Sequence, residues 1–252
     1  MLQLPPYLRT VYRRDDPNKT EYIAKHVREG SNELAIHEYL RTRQSHSPHV
    51  ISLIEAIPST TREWLIQPKL HSIRNQWFIN GGDVAGRVRL GCGLVKGLGY
   101  LHEHKIAHRD IKPDNLVCDK DYELKIIDFD LAIEVQDENT KIVEYCGTEG
   151  WTAPEVGTQR GPALMYSPIK ADRWSCGRVL LHHIMVGIED HLLLKIAGQL
   201  MTQNPRLRPS LLECHKLLVP PISKITNVRD GRYEEDGGED VKPPDAKKPR
   251  LE

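Results

Sequence analysis

The sequence predicts an α+β fold, with a short run of strands near the N-terminus followed by mostly helical chain. Three observations carry that reading. Tyr7 to Val27 has the pattern of two strands joined by a turn at Asp15-Asp16-Pro17-Asn18. Arg87 to His104 reads as a long helix interrupted by several glycines. From about Pro220 onward Gly, Asp, Glu, Lys and Pro dominate and no period survives, so this end is expected to be disordered.

The elements follow in order. The second strand, Tyr22-Ile23-Ala24-Lys25-His26-Val27, carries Lys25 near its end. Asn32 to Arg43 predicts a helix, with Leu34, Ile36 and Leu40 apolar and Ser31 as N-cap. Val50 to Ala56 and Trp64 to Leu70 are strand-like. Leu116-Val117-Cys118 and Leu124 to Ile127 flank a polar turn at Asp119-Lys120-Asp121 and predict a hairpin. Asp172 to Leu218 reads as successive short helices.

With 252 residues, the chain can bury one large core or two small ones. Its 35 basic and 35 acidic residues balance, so no bulk charge draws it to nucleic acid or a membrane. Cys92, Cys118, Cys146, Cys176 and Cys214 are odd in number and scattered, without metal spacing, which favours a reducing compartment. No stretch approaches the roughly 20 apolar residues of a membrane span. A cytoplasmic protein is expected. Lys247-Lys248-Pro249-Arg250 reads either as a nuclear-import signal or as a solvated basic end balancing Glu234, Glu235 and Asp236.

The chemistry concentrates in His108-Arg109-Asp110-Ile111-Lys112-Pro113-Asp114-Asn115 and, further on, Asp128-Phe129-Asp130 behind the apolar run Leu124 to Ile127. One carboxylate to orient a nucleophile, an amide and a second carboxylate for a metal, and a lysine for a travelling phosphate suit phosphoryl transfer from a magnesium nucleotide to a hydroxyl. With Ala153-Pro154-Glu155 as a third motif, the order resembles the protein kinases: H-R-D-L-x-x-x-N, then D-F-G, then A-P-E. The resemblance runs from about residue 8 to 218. It implies two lobes, a reduced β lobe over 1–70 and a mainly helical lobe over 71–218, with the tail at 219–252.

The resemblance also implies roles. Asp110 engages the acceptor hydroxyl and Lys112, as in serine/threonine kinases, meets the γ-phosphate. Asn115 and Asp128 hold Mg²⁺ for ATP. Lys25, in Tyr22-Ile23-Ala24-Lys25, resembles the lysine of V-A-I-K that meets the α- and β-phosphates. Of two acids that could pair with it, Glu38 is preferred because Ser47-Pro48-His49-Val50 resembles the turn that follows the partner helix; Glu33 is read as an exposed first-turn acid. Val11, Ala24, Val117 and Leu70 would surround the adenine, with the hinge around Gln67 to Leu70. Phe129 and His108 are structural. Arg109 meets a phosphate or acid on the activation segment, Leu131 to Thr152, where Thr140 is a candidate phosphosite. Thr148 bonds the catalytic aspartate, Asp172 anchors the catalytic loop, and Arg208 pairs with Glu155. Protein substrates are implied.

Two departures from the family pattern stand out. The glycine-rich phosphate loop is missing, its glycines falling on Leu4, Pro6 and Arg9. Proline offers no N–H and bulky side chains block close backbone approach; a chain whose full-length form begins earlier would account for this. Asp130 replaces the D-F-G glycine. An ATP-dependent serine/threonine kinase is therefore expected, with a pseudokinase or scaffold as the alternative.

Overall fold

The computed structural model describes residues 7–43, 46–59, 63–73, 83–162, 164–189 and 191–218. They fall within one compact unit, Met1–Val219. The expected disordered tail and the basic run at 247–250 lie outside the described residues.

A four-stranded antiparallel sheet forms first: β1 (Leu8–Tyr12), β2 (Glu21–His26), β3 (Glu55–Ile57) and β4 (Trp64–Pro68), in the order β1-β2-β4-β3. The register sets Leu8 opposite Lys25 and Lys25 opposite Leu65. Between β2 and β3 lies helix α1 (Glu33–Arg41), whose buried residues include Glu33, Ile36, His37 and Leu40. Ser31 caps it one residue earlier than the formal N-cap Asn32, its Oγ accepting from Glu33 N at 3.0 Å. The strand expected over Val50 to Ala56 is shorter: Val50 makes only an isolated bridge to Ile126, and regular pairing begins at Glu55.

Strand β5 (His71–Ser72) leads toward the helical part, where helix α2 (Val84–Glu103) is the central element. Asp83 caps it, accepting from Gly86 N at 2.6 Å. The glycines do not interrupt this helix. They let neighbours approach it: a Cβ at Gly97 would lie 2.6 Å from the His49 carbonyl oxygen, and one at Gly91 would lie 2.7 Å from Leu193 Cδ1. Close packing here outweighs glycine's poor helix propensity.

The chain continues through β6 (Ile106–Ala107), β7 (Leu116–Cys118), β8 (Leu124–Ile126), β9 (Ile133–Glu134), β10 (Ile142–Val143) and β11 (Met165–Tyr166). The expected hairpin is β7–β8, which β5 extends to three strands. Helices α3 (Pro168–Val179), α4 (Leu192–Leu200) and α5 (Leu211–Leu218) follow, with a wider π turn at Leu180–Ile184. The main core joins Leu94, Leu98 and Leu101 of α2 to Leu116, Leu124 and Ile126 of the hairpin and to Leu193 and Leu200 of α4. Among the described residues, no helix is long and apolar enough to cross a membrane.

Candidate active site

Strand β6 delivers the chain to a turn at His108 and Arg109. Arg109 has φ +68°, a left-handed conformation that costs a non-glycine residue on the order of 1–3 kcal/mol. Asp172, on α3, holds that turn, its carboxylate accepting from the backbone N–H of His108 at 2.7 Å and of Arg109 at 2.8 Å. The next residue, Asp110, is thereby presented from a rigid base.

Three side chains then close around Asp110. Thr148 Oγ1 donates to Asp110 Oδ1 at 2.7 Å, and Lys112 Nζ donates to Asp110 Oδ2 and to Thr148 Oγ1, each at 2.7 Å. Asn115 Nδ2 donates to the Asp110 carbonyl at 2.9 Å and to Oδ2 at 3.1 Å. These bonds commit the Asn115 nitrogen and leave Oδ1 as the donor atom for a cation. The expected Thr148 contact is thus present.

The second cluster surrounds Lys25, buried at the end of β2. Its Nζ lies 2.7 Å from Glu33 Oε2, 2.6 Å from Asp128 Oδ1 and 3.3 Å from Asp130 Oδ2. Burial alone would lower the pKa of Lys25, but Glu33 and Asp128 outweigh it and hold the amine charged. Burial pushes Glu33 up to about 7 against the pull of Lys25. Burial would also raise Asp128, yet Lys25 keeps it below the usual carboxylate range. Asp128 takes φ +69°, so the backbone strain falls there rather than at Asp130. The two clusters are tied by Ile127, whose N–H donates to the Asn115 carbonyl at 3.1 Å and whose carbonyl meets His108 Nε2 at 3.0 Å.

Two expectations need correction. Glu33, not Glu38, pairs with Lys25; Glu38 is exposed. With about 3.6 residues per turn, five residues along α1 rotate a side chain well away from the buried face. The first turn is also what the short link after β2 brings to Lys25. Second, Ala24 and Val11 do not share the face of Lys25. Adjacent strand residues point to opposite sides, and both line a cavity of about 330 Å³ on the other face with Ile54, Ile57, Trp64 and Ile66. By register, Ile23 and Thr10 accompany Lys25 instead. Gln67, in the expected hinge, turns its amide to α1, with Nε2 2.9 Å from His37 Nε2. Leu70 is half-buried against the main core, and Val117 is buried on β7 outside that core.

The buried histidine has no counterpart in the reading of the sequence. Burial and the charge of Lys25 depress His37 to about 4, so the ring is neutral, and it meets Phe129 edge-on with centroids 5.1 Å apart. Phe129 packs at a tilt against His108, with centroids 5.4 Å apart. Apolar and polar residues at helical spacing gave α1's buried face, but nothing local marked His37 as Gln67's partner. Elsewhere on the activation segment, Arg109 donates to Glu144 at 2.5 Å. Thr140 sits in a turn capped by Asp137, whose Oδ1 accepts from Thr140 N at 2.9 Å. Arg208 makes a bidentate pair with Glu155, at 2.5 and 2.9 Å.

Oxygen atoms of Glu33, Asp128 and Asp130 lie within 4.8 Å of one another, but the Lys25 ammonium stands among them, so this trio is an ion-pair cluster; Asn115 and Asp128 carry oxygen atoms of the kind Mg²⁺ takes.

The pattern of the Protein kinase domain family matches residues 11–191. CBL-interacting protein kinase 12 of Oryza sativa subsp. japonica is 31% identical over 176 residues, covering 65% of this chain and 30% of that protein. Sperm motility kinase 2A of Mus musculus is 30% identical over 212 residues, covering 72% of this chain and 40% of that protein. CBL-interacting serine/threonine-protein kinase 7 of Arabidopsis thaliana is 32% identical over 158 residues, covering 58% and 34%. The chain spans about a third of the length of these curated relatives.

Proposed function

Because the chain belongs to the protein kinase domain family, we propose that it transfers the γ-phosphate of ATP to serine or threonine hydroxyls of proteins. One observation carries this reading: Lys112 and Thr148 both reach the Asp110 carboxylate at 2.7 Å. Kinases of this family generally use ATP and Mg²⁺, which supply the phosphoryl group and the charge that neutralises it. Asn115 and Asp128 are the residues that would hold the metal. Lys25 would meet the α- and β-phosphates, with Val117 and Leu70 beside the adenine. Asp110 accepts the hydrogen bond of the incoming hydroxyl and orients it. Lys112, two residues on, would meet the γ-phosphate and offset its negative charge beside that carboxylate. Thr148 fastens the activation segment to Asp110. Residues 1–70 and 71–218 act as the two lobes, and proteins of the cytoplasm or nucleus are the expected substrates.

The test is a phosphotransfer assay with labelled ATP and a generic protein substrate, run on the wild type and on Asp110→Ala and Asp128→Ala. Label incorporation by the wild type alone is expected. Equal signal from all three proteins would sink the enzyme.

A second reading, a nucleotide-binding scaffold with little transfer, has its own support. Of the positions where the phosphate loop's glycines would fall, Arg9 lies within β1 and pairs with Ala24; Leu4 and Pro6 lie outside the described residues. A thermal-shift titration with Mg²⁺-ATP separates the readings, since a ligand preferring the native state raises its melting point. A shift without phosphotransfer would favour the scaffold.

A further inference from the structure

The start of α1 is stitched to the segment after β8 at three places. Ser31 Oγ donates to Asp130 Oδ1 at 2.9 Å, Asn32 Nδ2 to the Ala132 carbonyl at 3.4 Å, and Phe129 N to Glu33 Oε1 at 3.4 Å. Asp130 is the hub. Its other oxygen lies 3.3 Å from Lys25, which in turn holds Glu33, whose own N–H returns to Ser31 Oγ at 3.0 Å. The circuit Asp130–Lys25–Glu33–Ser31–Asp130 is closed. It joins strand, helix and activation segment through a single side chain, and glycine at 130 would supply neither of its oxygens.

Two features say what the circuit does. Asn32, the formal N-cap of α1, makes no side-chain capping bond, so the first turn depends on Ser31 and thus on the carboxylate that orients the Ser31 hydroxyl. A carboxylate at a helix N-terminus is also favoured by the helix dipole. Separately, Arg109 already has an acid partner on the activation segment, Glu144. Both anchors are carboxylates of the chain's own side chains.

We propose that Asp130 is a positioning residue: it latches the first turn of α1 to the activation segment and so holds the Lys25–Glu33 pair assembled without phosphorylation of the chain. The inference rests on the kinase reading for its consequence in catalysis, but not for the latch itself. Asp130 acts through Ser31 and Lys25, and the reacting groups remain Asp110 and the residues around it.

The experiment measures amide hydrogen exchange over residues 33–37, together with kcat and KM, on unphosphorylated full chain. The variants are Asp130→Ala, Asp130→Asn, Ser31→Ala and the double Ser31→Ala/Asp130→Ala. A hydrogen bond to a charged group is worth about 1.5–3 kcal/mol, so Asp130→Ala should speed exchange in α1's first turn by roughly 10- to 150-fold. Exchange in β7 and β8 should not move, and kcat should fall while KM for the protein substrate holds. Asp130→Asn keeps an acceptor for Ser31 and should restore part of the protection. Because both residues belong to one circuit, the double variant should do little more than Asp130→Ala alone. The proposal is overturned by unchanged α1 exchange in Asp130→Ala, by a rise in kcat, by simple addition of the two single effects, or by a wild type active only once phosphorylated. Should Asp130→Ala fail to fold, Ser31→Ala and Asp130→Asn carry the same test. Faster α1 exchange in a chain with no phosphotransfer at all would keep the latch and remove the kinase.

Discussion

Asp110 and Lys25 sit in two differently built neighbourhoods. Around Asp110, Lys112 and Asn115 are two and five residues away, and a short turn places both. Around Lys25, the partners come from three elements: Glu33 from α1, and Asp128 and Asp130 from the segment after β8, with 103 residues between Lys25 and Asp128. The first neighbourhood keeps its geometry as long as its own loop is anchored at Asp172. The second exists only when sheet, helix and activation segment are all in place. On the proposed reading, chemistry belongs to the local site and control to the distributed one.

The largest effect should come from the local site. Asp110→Asn preserves size and acceptor capacity but removes the charge, so kcat should fall by about 10²- to 10⁴-fold, the range for a positioned acid or base. The melting temperature should stay near that of the wild type. A large loss of stability would mean that Asp110 is a structural member of its loop, and the contrast between the two neighbourhoods would collapse.

Second in size is a pH effect at the distributed site. His37 has a folded pKa of about 4 against an ordinary 6.5. The unfolded chain therefore binds more protons between these values, and stability from this group is complete above about 6.5 and lost as pH falls toward 4. A shift of this size corresponds to on the order of 3 kcal/mol. The groups facing the ring are Gln67, Phe129 and the Lys25 charge, none of which would welcome an imidazolium. Chemical denaturation at a series of pH values should show the wild type losing more stability on acidification than His37→Gln, since Glu33, raised to about 7, contributes the opposite slope in both proteins. Equal slopes in the two proteins would place the acid sensitivity elsewhere.

The distributed site is also where the sequence was hardest to read. Asp110, Lys112, Asn115 and Thr148 come together because three of them share one loop, and fixed offsets within a loop survive from sequence to structure. Glu33 and Glu38 look equivalent along the chain; only the orientation of α1 against β2 distinguishes them. The misplacement of Ala24 had a local remedy, since a residue next to Lys25 in a strand must face the other way. No such remedy existed for His37 and Gln67, whose 30-residue separation encodes no contact. The strand and helix order was legible from periodicity, while the continuity of α2 was hidden because glycines read as breaks until their packing partners are known.

A third test sharpens that distinction. Glu33→Gln should weaken the Lys25 junction by about 1.5–3 kcal/mol, read as a roughly 10- to 150-fold loss in kcat/KM. Glu38→Gln, on the exposed side of the same helix, should be silent in the same assay. Reversed results would restore Glu38 as the partner and show that α1 rotates in the working enzyme.

The smallest expected effect separates two glycines that are indistinguishable in the sequence of α2. At Gly97 an added Cβ would stand 2.6 Å from the His49 carbonyl oxygen, a backbone atom that cannot swing aside. Gly97→Ala should therefore destabilise by about 1–3 kcal/mol, the usual cost of overpacking. At Gly99 the nearest atom to such a Cβ is Leu211 Cβ at 3.4 Å, an ordinary contact. Gly99→Ala should gain up to about 1 kcal/mol from helix propensity. Opposite signs in thermal unfolding would confirm that α2 is packed glycine-first against the His49 turn. If both variants destabilise, the α2–α5 contact at Leu211 has less room than its 3.4 Å spacing implies, and long-range packing rather than the helix's own preference governs this whole face.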